Sequence, residues 1–145
     1  MVGSIQILRT HHIGIVVSDL QKSLDWYKLI LGFEEVARDY VEALDLTIVY
    51  IRSGETELEL FTKGGSVAPR PEEKELFPSF GFQGLRHLCF EVSNPDAAWE
   101  QARELGADLA NAPTQNEALG VRYCFIRDPD GILIEFLTPL DKFKS

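Results

Sequence analysis

The chain has 145 residues, 45% of them hydrophobic and 26% charged, and a formal net charge of −9. That length suits one ordinary domain with its own core, and that charge argues against nucleic acid, whose phosphates draw basic faces. No apolar run approaches the roughly 20 residues of a membrane span, so no membrane contact is expected. The start lacks the charged-then-apolar pattern of a signal peptide, and two cysteines are too few for a disulfide framework. The expectation is a cytoplasmic protein with Cys89 and Cys124 buried as small hydrophobes.

The first strand is expected near residues 9–17, rich in Ile and Val. Ser18 then offers an N-cap, with Gln21 completing a capping-box pattern. Leu20, Leu24, Tyr27 and Leu31 follow at helical spacing, and Gly32 fits the left-handed position that ends a helix. Strand-like runs come next at about 34–40, 45–52 and 56–62, with Ser53-Gly54 marking a turn. A second set begins with a strand at about 85–92. Asn94-Pro95 reads as an N-cap followed by proline in the first turn, and the helix runs to Leu105 before Gly106. Strands are expected near 107–111, 121–127 and 132–138, the last two joined by Asp128-Pro129-Asp130-Gly131. The segment from Lys63 to Gln83 holds Pro69, Pro71 and Pro78, and a helical turn fits Glu72 to Phe77. A connection this long serves as a lid or as a loose linker. Phe77, Phe80 and Phe82 favour an ordered loop that packs on something.

The order β-α-β-β-β thus occurs twice, about 75 residues apart, and residue identities recur with it. His12 returns as His87, Ser18 as Ser93, Glu42-Ala43-Leu44 as Glu117-Ala118-Leu119, and Ile51-Arg52 as Ile126-Arg127. Glu59 matches Glu135 at an offset of 76. The expected organisation is α+β: a single domain over 1–145, with unit one at 8–62, a connecting loop at 63–83 and unit two at 84–139.

The repeat selects four residues. It pairs His87 with His12 rather than His11, and strand alternation predicts that His11 and His12 point oppositely. Glu135 is a charge in an otherwise apolar strand, which is costly to bury unless paired or metal-bound. A pseudo-twofold axis would bring the two His-plus-Glu pairs together. Two imidazoles and two carboxylates suit Zn, Ni, Co, Mn or Fe(II), one divalent ion per site, and do not choose among them.

The combination of His-Ile-Gly near the start, Leu-Glu-Leu-Phe closing unit one, Arg-His-Leu opening unit two and Asp-Pro-Asp-Gly-Ile-Leu-Ile-Glu-Phe near the end resembles the vicinal oxygen chelate superfamily. That superfamily includes glyoxalase I, methylmalonyl-CoA epimerase, extradiol dioxygenases, fosfomycin-resistance proteins and bleomycin-binding proteins. The resemblance implies two tandem units forming a curved, cup-shaped mixed sheet with helices outside. It implies metal ligands from the first and last strands of each unit: His12, Glu59, His87 and Glu135. It also implies a homodimer acting on a small-molecule substrate.

Retention of all four positions resembles glyoxalase I and, in part, the epimerases. The implied activity is that of a glyoxalase I-type lyase or isomerase (a lactoylglutathione lyase-like metalloenzyme). A base there removes a proton next to a carbonyl and the metal stabilises the enediolate. Glu135 is the candidate base, with Glu59 as second carboxylate or alternate base. The alternatives are an Fe(II)-dependent dioxygenase, a methylmalonyl-CoA epimerase-like isomerase and a non-catalytic small-molecule binder of the bleomycin type. Epimerases usually carry a longer glycine-bearing insertion before the final glutamate strand, where this chain has a short turn. Arg122 is a candidate for an anionic substrate tail, although the plainer reading is a surface strand arginine. Tyr50, Phe61 and Tyr123 are candidates for the lining of the cup.

Overall fold

The structure, a computed structural model, describes residues 3–143. It divides into two compact units, one ending at Ser66 and the other starting at Val67. In unit one the strands are β1 (Ile13–Val16), β2 (Glu34–Val41), β3 (Leu46–Ser53) and β4 (Thr56–Lys63), and the helix is α1 (Leu20–Leu31). Unit two holds a four-residue helix α2 (Leu76–Ser79), then β5 (His87–Glu91), α3 (Pro95–Glu104), β6 (Asp108–Asn116), β7 (Val121–Arg127) and β8 (Leu133–Pro139). Each unit is a four-stranded mixed sheet, ordered β1-β4-β3-β2 in one and β5-β8-β7-β6 in the other. The first and last strands of each set run parallel and the remaining neighbours antiparallel. The βαβββ repeat is therefore realised in both halves.

Alternation explains which way each sheet faces. On the β3–β4 ladder Val49, Ile51, Leu58 and Leu60 are no more than 1% exposed and form the core with Ile15, Val17, Phe33 and Tyr27 of α1. Their neighbours Tyr50, Arg52, Glu57 and Glu59 occupy the other face. In unit two Cys124, Ile126, Ile134 and Phe136 play the core part, with Ala102 of α3. Fully burying such aliphatic side chains contributes roughly 1.5–3 kcal/mol each.

The helix ends differ partly from expectation. The carboxylate of Asp19, not the Ser18 hydroxyl, caps α1 by accepting from Lys22 N at 3.0 Å. At the other end Gly32 sits at φ 70°, where Gly32 N donates to Lys28 O and Phe33 N to Tyr27 O. That doubled closure needs a left-handed residue, so glycine is required there. Asn94 caps α3 as expected, accepting from Ala97 N at 3.1 Å.

The first strand is shorter than expected: residues 3–12 precede β1 without strand pairing. Conversely β6 runs on to Asn116, through Pro113. It lies at the sheet edge, where a missing N–H interrupts no ladder on the open side. Two register irregularities accompany the proline.

The connecting segment folds onto unit two as two short turns, Pro71–Lys74 and α2. Leu76, not a phenylalanine, is its anchor. It packs with Phe125 and Leu133 on the face opposite α3, with Tyr123 and Ala110 alongside. Phe77 and Phe80 stay exposed, edge-to-face with each other, and Phe82 lies under the Arg70 guanidinium. Two arginines fix the segment. Arg127 Nε donates to Lys74 O at 2.7 Å and its Nη2 to Glu75 Oε2 at 2.8 Å. Arg86 Nη1 donates to Glu73 Oε1 and Ser79 O. Lys74 lies across Gly131, where a Cβ would fall 2.5 Å from its Cδ. Among the described residues no helix is long and apolar enough to cross a membrane.

Candidate metal centre

Each sheet brings one histidine and one glutamate together. In unit one, His12 immediately precedes β1, and Glu59 lies on β4, whose Cα partner on β1 is Gly14. His12 Nε2 is 3.0 Å from Glu59 Oε2. In unit two His87 opens β5, and Glu135 on β8 pairs with Cys89. His87 Nε2 is again 3.0 Å from Glu135 Oε2. All four side chains are half-buried to nearly buried, the carboxylates 15% and 12% exposed.

The spacing fits ion binding. Two donors each about 2.1 Å from one ion, at right angles to it, lie about 3.0 Å apart. The same distance is that of an N–H to carboxylate hydrogen bond, so each pair is held at ligand spacing by its own attraction. Among the described residues no group of three or more His, Cys, Asp or Glu side chains is placed to hold one metal ion; each unit holds a His–Glu pair.

The surroundings of the two pairs are related and unequal. Each imidazole meets an aromatic ring edge-on, His12 with Tyr50 at 5.3 Å and His87 with Phe125 at 5.1 Å. Tyr50 and Phe125 are repeat equivalents, each the register partner of its unit's glutamate. Only Tyr50 has a hydroxyl, and it donates to Glu59. Desolvation, that hydrogen bond and the charges of Glu59 and Glu57 raise the Tyr50 pKa. In unit two the corresponding donor is the Cys89 thiol, which bonds Glu135. Cys89 is exposed as a residue, but desolvation of its sulfur, then Glu135's charge and hydrogen bond, push it up to about 12. It therefore stays a thiol at neutral pH.

Several expectations are corrected here. Cys89 is not buried, because it shares the face of His87 and Glu135 rather than the helix face; Cys124 is buried. His11 does not point away from His12. The strand begins only at Ile13, and the two Nδ1 atoms lie 2.8 Å apart with the rings edge-to-face. One of the two nitrogens must carry the proton for this hydrogen bond, so the tautomers of His11 and His12 are coupled. His87 has no such backing: its Nδ1 is buried without a hydrogen-bond partner among the described residues.

Of the candidate lining residues, Tyr50 and Phe61 share the Glu59 face, and Tyr123 shares the Glu135 face. Arg122 falls on the opposite side of its sheet from Glu135. It donates bidentately to Asp96 of α3 at 2.5 and 2.6 Å and lies over Phe143. It serves as a helix-to-sheet tie rather than as part of the His87–Glu135 surroundings. The contacts that sequence reasoning missed, Cys89 to Glu135 and His11 to His12, had one legible signal: both residues flank the repeated histidines.

A tandem pair of βαβββ sheets, each with a His–Glu pair at the same register, defines a class of duplicated α+β proteins. A profile described as the Glyoxalase/Bleomycin resistance protein/Dioxygenase superfamily matches residues 9–136, and the chain belongs to that superfamily. Its relatives include the uncharacterized protein YwkD of Bacillus subtilis, 34% identical, with 86% of this chain and 92% of that protein covered. An ethylmalonyl-CoA/methylmalonyl-CoA epimerase of Cereibacter sphaeroides is 29% identical, covering 88% and 95%. A lactoylglutathione lyase of Neisseria meningitidis is 28% identical, covering 90% of each. Among solved structures, a glyoxalase family protein from Enterococcus faecalis superposes with a TM-score of 0.77 at 25% identity, covering 90% of this chain and 98% of that one.

Proposed function

We propose that His12, Glu59, His87 and Glu135 are the ligands of a divalent metal ion in an enzyme that removes a proton next to a carbonyl. The observation that carries this is the repeated His Nε2–Glu Oε2 pair, 3.0 Å in both units and set at the same strand register. An ion bound there would supply Lewis-acid polarisation of a substrate carbonyl oxygen. Glu135 is the base in this reading. It is the carboxylate held by the imidazole and a weakly donating thiol, whereas Glu59 is also held by the Tyr50 hydroxyl. Glu59 is then the steadier ligand. Phe61 and Tyr123 supply apolar surface beside the two pairs.

The glyoxalase I type of reaction, turnover of a hemithioacetal, is the activity we infer first. The epimerase type shares the proton-abstraction step, and an epimerase stands among the relatives, so it is the second reading. A cytoplasmic homodimer fits either; light scattering on the purified protein reads the oligomeric state. The deciding experiment is metal titration with elemental analysis of the unaltered protein, His87→Ala and Glu135→Gln. Hemithioacetal turnover with several thiols and acyl-CoA epimerisation are assayed in parallel. The reading expects stoichiometric metal, lost or weakened at least tenfold in His87→Ala, with activity abolished in Glu135→Gln. Metal binding equal in all three proteins would overturn it. Small-molecule binding that survives metal removal without turnover would move the protein to the binding-module class.

A further inference from the structure

The repeat can be used as its own template one step along the strands from the His–Glu pairs. On β7 and β8 that step is Arg127 opposite Leu133; on β3 and β4 it is Arg52 opposite Glu57. In unit two this corner is filled by the chain itself. Arg127, 13% exposed, takes the Glu75 carboxylate and the Lys74 carbonyl, while Leu76 covers Leu133 and Phe125. In unit one the equivalent place is open among the described residues. A cleft of about 560 Å³ lies there, lined by Arg9, Thr10, Arg52, Gly54, Glu55 and Glu57.

The charges in the cleft are unevenly engaged. Arg52 Nε and Nη2 both donate to Glu57 Oε2, at 3.1 and 2.9 Å, which leaves its Nη1 unused by that pair. Arg9 has no carboxylate partner among the described residues. The cleft thus offers one unpaired guanidinium and part of a second, with a threonine beside them.

We propose that this cleft is a subsite for an anionic group, a carboxylate or a phosphate, carried by the small molecule the protein binds. Arg9 and Arg52 are its recognition residues. What Glu75 does to Arg127 inside unit two, the ligand's anion does to Arg52 and Arg9 in unit one. Guanidinium forks suit both oxyanions. Glu57 and Glu59 are two residues apart on β4, so the anion is held about 7 Å along the strand from the carboxylate of the metal-site reading. Only that last relation, the distance to the reacting centre, rests on the proposed function. Glu55, on the lip, opposes an anion and sets a limit on affinity.

The test is titration of chelator-treated protein with inorganic phosphate in one arm and malonate in the other. It is followed through the Arg Nε–H resonances and by calorimetry. Both signals of Arg9 and Arg52 should move. Arg9→Ala should weaken binding about tenfold, and Arg52→Lys should weaken it less. Glu55→Gln should tighten it about two- to threefold, and Arg103→Ala, on α3 outside the cleft, should change nothing. Tighter binding of phosphate or of malonate identifies which oxyanion the subsite prefers. Binding that Arg9→Ala leaves within twofold overturns the proposal, and so does loss of binding in Glu55→Gln, which would mean the cleft wants a cation. Because metal is absent from these titrations, failure of the metal-site reading leaves their outcome unchanged. Equally, Arg9→Ala should leave metal stoichiometry intact.

Discussion

Unit one and unit two carry the same His–Glu pair at the same 3.0 Å, and almost nothing else around the pairs is the same. Gly14 faces Glu59 where Cys89 faces Glu135. Tyr50 stands where unit two has Phe125, and Glu57 where it has Leu133. His12 is backed by His11, whereas the Nδ1 of His87 is buried without a hydrogen-bond partner among the described residues. The corner beside the pair is an open cleft in one unit and is plugged by residues 74–76 in the other. Duplication has kept the donors and released the neighbours. The donors are thereby matched in kind and spacing, while the groups that touch them differ between the two units.

The largest expected effect comes from removing the plug. Leu76→Ala deletes a 6% exposed side chain from the cluster with Phe125 and Leu133 and should cost about 2–4 kcal/mol in urea unfolding. A cost under 1 kcal/mol would mean the segment only rests on the sheet. Next in size is the arginine that holds it. Arg127→Ala should cost about 2 kcal/mol, because it leaves two carbonyls and two carboxylates without their donor. Its repeat equivalent Arg52, 53% exposed and bound to one carboxylate, should cost less than 1 kcal/mol. Arg127→Ala should also speed proteolysis between residues 63 and 83. Equal costs at the two arginines would break the comparison.

A smaller effect tests the inequality of the two carboxylates. Tyr50→Phe makes unit one resemble unit two at the ring that touches the histidine. It removes the hydroxyl that bonds Glu59 and keeps the edge-on contact with His12. If the metal reading holds, metal affinity should fall about tenfold in competition titration, as for other groups that orient a ligand from behind. A change under twofold would show that Glu59 needs no such support.

How much of this could be read in advance follows a physical line. Strand and helix positions, the caps at Asn94 and Gly32, and the pairing of His12 with Glu59 and His87 with Glu135 were legible. They depend on local periodicity and on a repeat that marks equivalent positions. The extent of β6 was not, because Pro113 is compatible with a strand only once the strand is known to be an edge. The docking of residues 71–79 was misassigned to phenylalanines. Aromatic content says that a loop packs, while the partner surface decides which residue does so, and here Phe125 and Leu133 took Leu76. For Arg122 a substrate-tail role stands beside the plainer reading of a surface strand arginine, and its parity relative to Glu135, which separates the two, comes only from the sheet register.

That parity supplies the smallest prediction. Arg122 and Asp96 tie sheet to helix in unit two, whereas their repeat positions in unit one are Thr47 and Gln21, with Gln21 turned to Asp25 instead. The hydrogen bond from Arg122 holds the Asp96 carboxyl below the usual aspartate range, against an opposing contribution from desolvation. A carboxylate with a depressed folded pKa adds stability above its unfolded value of about 3.9, and that stability is lost as pH falls through the lower folded value. Asp96 is partly exposed, so screening limits the contribution to about 0.5 kcal/mol. Asp96→Asn should remove it at neutral pH and flatten the decline in stability between about pH 5 and 2. Hydrogen exchange should locate the loosening at α3 and β7, leaving α1 protected. Equal acid sensitivity of α1 and α3 would show that this tie does not distinguish the two units, and that the helix of each is held by its apolar face alone.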